Sequence, residues 1–85
     1  MKNLSEKELD NIKKSTPIKV GEAIKKLRLK EGITQTDLAE RVGKDRQYLY
    51  KIESGKVTPN ISTIAVLCKA LNIELVELFK EIKIV

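Results

Sequence analysis

Histidine and tryptophan are absent from this 85-residue chain, cysteine occurs once, and aromatic residues make up only 4% of it. Without histidine, the commonest metal ligand and general base is missing. Cys/His metal sites and Ser/His/Asp or Cys/His catalysis are therefore excluded, and neither metal nor cofactor is expected. Cys68 has no second cysteine to pair with, which suits a reduced, cytoplasmic setting. No apolar run approaches the roughly 18–20 residues needed to cross a bilayer. The stretch from Met1 to Thr16 is too polar and charged for a secretory signal, so no membrane partner is expected. A chain of this length allows one small domain, burying only about 60% of its unfolded surface.

Charge is plentiful: 17 basic residues against 12 acidic give +5. Its distribution matters more than its total. Residues 18–56 hold ten cations against six carboxylates, whereas the stretch from Val57 onward is neutral. A solubilising surface and an anionic partner both account for charge of this kind.

The apolar residues recur at helical spacing, and side chains suited to capping mark the starts. Ser5-Glu6-Lys7-Glu8 fits a capping box, with Leu9 and Ile12 as a thin stripe behind it, so residues 1–15 read as an arm or a short helix. Thr16-Pro17 predicts the start of a new helix, with Ile18, Val20, Ala23, Ile24 and Leu27 on its inner face and a stop at Glu31-Gly32. Thr34 opens the next helix, with Asp37 as its capping partner, and Gly43 ends it. Asp45 caps a third helix that breaks at Ser54-Gly55, and Pro59-Asn60 starts a fourth. From Ile61 to Leu71 the only charge is Lys69, which predicts a central helix buried nearly all round. A fifth helix is expected from Glu74 to about Glu81, followed by a tail, 82–85, that alternates like a strand. The fold class is thus all-α, with five helices in a compact domain spanning residues 16–81.

The connection Gly43-Lys44-Asp45 is too short for antiparallel packing, so the second and third helices must cross steeply, as in a helix-turn-helix. Ala39 is small where they approach, and Gly43 stands where the turn needs a positive φ. The outer face of the third helix would then carry Arg46, Gln47, Tyr50 and Lys51, with Tyr48 alongside and no carboxylate among them. Arginine pairs bidentately with guanine and glutamine with adenine in the major groove. A merely solvated face would mix glutamate with lysine.

The series Gly32-Ile33-Thr34-Gln35, Leu38-Ala39-Glu40, Gly43 and Ile52-Glu53-Ser54-Gly55-Lys56 resembles the Cro and phage-repressor (XRE-type) helix-turn-helix family. The resemblance runs from about Ile18 to Phe79. It implies a lambda-repressor-like domain that binds double-stranded DNA, with Arg46, Gln47 and Lys51 at base-reading positions and Tyr48 and Tyr50 as neighbours. It further implies backbone contacts from Thr34, Gln35, Ser54 and Lys56, with Lys44 nearby, and an internal salt bridge between Arg28 and Glu53. Asp37 and Asp45, acidic residues near that face, read as helix caps. Asp45-Arg46-Gln47-Tyr48 is also similar to the recognition-helix start of restriction–modification controller proteins, a small subset of the family.

Two classes follow. One is a sequence-specific regulator acting as a homodimer on a palindromic operator; the other is an antitoxin or co-regulator that uses the scaffold to bind a toxin or other protein. An enzyme is not expected, because the carboxylates are dispersed and no phosphate loop or nucleophile–base pair exists. Once a four-helix core has closed, Ile73, Val76, Phe79 and Ile82 are left over, and they are the expected dimer surface. The tail from Ile82 to Val85 would add a strand or a helical turn across that seam.

Overall fold

The computed structural model describes residues 3–83 and contains five helices in chain order: α1 Glu6–Lys30, α2 Gln35–Arg41, α3 Arg46–Glu53, α4 Ile61–Ala70 and α5 Leu75–Glu81. No strand occurs among the described residues, and none of their helices is long and apolar enough to cross a membrane. The last two positions of the tail, Ile84 and Val85, lie outside the described residues.

Side-chain caps set most of the helix starts. Ser5 Oγ accepts from the Glu8 amide at 3.0 Å, and the Ser5 amide donates to Glu8 Oε1 at 2.9 Å. Hydrogen bonds from the Ser5 amide, and then from its side chain, favour the ionised form, so the Glu8 carboxyl is held below its ordinary range. Thr34 and Asp37 make the same reciprocal box at α2. Asp45 accepts from the Tyr48 amide at 2.9 Å, and Asn60 from the Thr63 amide at 2.9 Å. Each bond satisfies an orphan donor of a first turn.

The expected helix start at Thr16-Pro17 does not occur: α1 runs through it for 25 residues. Proline removes the bond from its own nitrogen to the Lys13 carbonyl and crowds that carbonyl, and Lys13 is exposed, so water can serve the oxygen. The Thr16 hydroxyl, instead of capping a new helix, donates back to the Ile12 carbonyl at 2.6 Å. Residues 5–15 are therefore the first turns of α1.

The core gathers Ile24 and Leu27 from α1, Leu38 from α2, Leu49 and Ile52 from α3, Leu67 from α4, Leu71 and Leu78. α1 crosses α3 at Gly21, where a Cβ would stand 2.3 Å from the Ile52 carbonyl oxygen and 2.6 Å from that of Glu53. Gly55, at φ +76°, likewise touches the Ile18 backbone, where a Cβ would lie 2.8 Å from Cα. Only a residue without a side chain allows backbones this close. Ile18 itself, expected inside, is 47% exposed.

α4 is not buried all round. Ile64, Leu67 and Cys68 face inward, while Ile61 is 60% and Val66 53% exposed. The reason is position: α4 packs on α2 and α5 and covers one flank of the domain instead of passing through its centre. Burial, followed by the nearby Glu77 charge, pushes the Cys68 thiol up, which keeps it protonated and inert.

Candidate nucleic-acid interface

α3 divides its residues cleanly between two faces. Leu49, Ile52 and Glu53 are buried, whereas Arg46, Gln47, Tyr50 and Lys51 are exposed and Tyr48 is half-buried. The only carboxylate within α3 is thus withdrawn from its outer surface. Asp45, just before the helix, is occupied in capping it. What remains outside is cationic, amide and phenolic.

Glu53 is the point where three helices meet. Arg28 Nε donates to Glu53 Oε2 at 2.7 Å and Arg28 Nη2 to Oε1 at 3.0 Å, a two-pronged pair with both side chains almost fully buried. Gln35 Nε2 adds a third bond to Oε1 at 3.0 Å, and Arg28 Nη1 holds the Ile33 carbonyl at 2.8 Å. Charge-assisted forks of this kind fix geometry as well as supply energy. The C-terminal end of α3 is pinned to α1 and to the start of α2, so its outer face is held at a set angle. Gln35, expected to touch the DNA backbone, commits one of its two amide hydrogens to this support.

Lys44 and Lys56 sit over aromatic rings, 5.4 Å from the centre of Tyr48 and 5.1 Å from that of Tyr50. These cation–π contacts limit the reach of two flexible cations beside α3. Ser54 Oγ donates to the Lys51 carbonyl at 3.3 Å. Beside Gln47, Tyr48 and Lys51 opens a cleft of about 500 Å³, closed on its other side by Thr58, Pro59 and Asn60. Reading the sequence missed this rim, which follows the conspicuous Ser54-Gly55-Lys56 motif. Among the described residues no cluster of His, Cys, Asp or Glu is placed to hold a metal.

Of the residues expected at a dimer surface, Val76 is 56% and Phe79 47% exposed. Ile73 and Ile82 are half-buried and pack against their own core. Ile82 leaves α5 in an extended conformation, and the Lys19 ammonium donates to the next carbonyl, that of Lys83, at 2.7 Å.

Comparison with known proteins agrees with this geometry. A family model described as helix-turn-helix matches residues 24–78. The chain is 37% identical over 59 residues to the uncharacterised HTH-type transcriptional regulator y4dJ of Sinorhizobium fredii, covering 69% of this chain and 77% of that one. It is 38% identical over 55 residues to the immunity repressor protein of Bacillus phage phi105, covering 65% of this chain but only 38% of the repressor. Among solved structures, the restriction-modification controller protein C.AhdI from Aeromonas hydrophila superposes with a TM-score of 0.73 at 35% identity, over 76% of this chain and 94% of that one. The clp gene regulator ClgR from C. glutamicum gives 0.75 at 26% identity, over 78% and 85%.

Proposed function

The chain belongs to the helix-turn-helix family of the Cro and phage-repressor (XRE) type and is a DNA-binding transcriptional regulator, and from that premise we propose that it reads a palindromic operator as a homodimer. α3 enters the major groove. Gln47, Arg46 and Lys51 read base edges, with Tyr48 and Tyr50 beside them, while Thr34, Gln35, Lys44, Ser54 and Lys56 hold the backbone. The observation that carries this reading is the outer face of α3: amide, guanidinium, ammonium and phenol with no exposed carboxylate, locked in angle through Glu53. The two copies meet through Val76 and Phe79, flanked by Ile73 and Ile82, which would present the two α3 helices to successive major grooves about 34 Å apart. The role assigns no catalytic activity to the chain and places it in the cytoplasm with its DNA.

The test separates readers from anchors. Gln47→Ala should weaken binding to the preferred duplex by about 1–3 kcal/mol and leave random duplex unaffected. Lys56→Ala should weaken both alike and flatten the salt slope by about one unit. Equal losses on both duplexes for both variants would contradict the assignment.

One observation favours a second reading, a co-regulator or antitoxin that binds a protein. Ile61 and Val66 are exposed on α4 and are not among the residues assigned to the dimer. On that reading DNA affinity would be weak and nearly independent of salt, unlike groove binding that neutralises several phosphates.

A further inference from the structure

Opposite the cleft beside Gln47 and Lys51, the other flank of α3 borders a second groove, of about 610 Å³. Its lining includes Lys25, Arg28 and Leu29 of α1, Thr34, Gln35 and Thr36 at the start of α2, and Arg46 of α3. No carboxylate lines it. The cations of α1 differ in how they are used. Lys14 pairs with Asp10, Lys26 with Glu81 and Arg28 with Glu53. Lys25 has no ion-pair or hydrogen-bond partner among the described residues, and it faces hydroxyls and a second cation. A groove lined by an ammonium, guanidinium groups and two threonines, with no acid, suits an anion.

A helix lying in the major groove has one sugar–phosphate strand on each side. On the DNA-binding reading, the cleft near Thr58 and Asn60 would face one strand and the groove near Lys25 the other. Resting on the DNA-binding reading above, we propose that Lys25 is a phosphate anchor, carrying the DNA contact beyond the helix-turn-helix onto α1. It grips the strand on the α1–α2 side without reading sequence. Its neighbour on the same helix, Lys30, supplies a matched control. Lys30 lies on the α5 side, where its charge helps to hold the Glu81 carboxyl low, and it does not line the groove.

The experiment compares Lys25→Gln and Lys30→Gln with the full-length wild-type chain, each titrated with preferred and random duplex DNA from 0.05 to about 0.5 M salt. Both variants lose one exposed positive charge, and circular dichroism should show unchanged helix content. For Lys25→Gln the slope of log K against log salt should fall by about 0.9, the value for one phosphate on B-DNA. That corresponds to binding about eightfold weaker at 0.1 M salt on both duplexes, with the gap closing as salt rises. Lys30→Gln should leave the slope unchanged. An unchanged slope for Lys25→Gln, or an equal fall for Lys30→Gln, overturns the anchor while leaving the DNA-binding reading intact. Wild-type protein with no salt-dependent binding would overturn both, in the arm that contains no variant.

Discussion

At the α1–α3 junction the backbones touch at Gly21 and every buried polar side chain among the described residues has a partner. Along α4 and α5, by contrast, Ile61, Val66, Val76 and Phe79 are left about half exposed. The two regions have opposite relations to a partner. The junction is complete within one copy of the chain, and its task is to hold α3 at an angle. The α4–α5 edge leaves apolar side chains exposed, and on the proposed reading a second copy covers them.

The comparison breaks first at Glu53. Glu53→Ala leaves the Arg28 guanidinium buried without its counter-charge and the Gln35 amide without its acceptor. The expected loss, read by urea unfolding, is about 3–5 kcal/mol. Replacing the pair together, Arg28→Met with Glu53→Leu, should cost far less, because no charge is then stranded. Gly21→Ala probes the same junction through shape alone and should cost about 1–3 kcal/mol, or more if α1 cannot lift off the Ile52 carbonyl. A loss below about 1 kcal/mol for Glu53→Ala would mean that water reaches the pair.

The edge should behave differently. Val76→Asp combined with Phe79→Ser alters two half-exposed positions, so it should change monomer stability by no more than about 1 kcal/mol. Sedimentation at micromolar concentration should nevertheless show the wild-type dimer replaced by a folded monomer that binds half-sites weakly. A double variant that stays dimeric would move the interface onto Ile61 and Val66.

How far each region was legible in the sequence follows from where its information lies. The starts of α1, α2, α3 and α4 are local events, one oxygen meeting an amide three residues on, and Ser5, Thr34, Asp45 and Asn60 announce them. Thr16-Pro17 carries the same signature and misleads, because its hydroxyl turned back to Ile12 and the lost proline bond fell on the carbonyl of an exposed residue. The outer face of α3 follows from the spacing of Arg46, Gln47, Tyr50 and Lys51 once the short turn is recognised. Gly21 was readable in principle, as an isolated glycine inside an apolar helical stripe implies close packing. The exposure of α4 was not readable, since composition reports how apolar a helix is and not how many neighbours it has. Lys25 is one of 17 basic residues, and nothing near it in the chain sets it apart. Only the assembled groove does so.

The central claim is that the α3 face, held by the junction and doubled across the edge, reads a symmetric DNA site. Selection of duplexes from a random pool by the purified chain tests it most directly. The account predicts enrichment of a palindrome whose half-sites lie about one helical turn, 10–10.5 base pairs, centre to centre or a multiple of it apart, with recovery lost for Gln47→Ala. Recovery of no preferred sequence, or of a single unpaired half-site from wild-type protein, would contradict it.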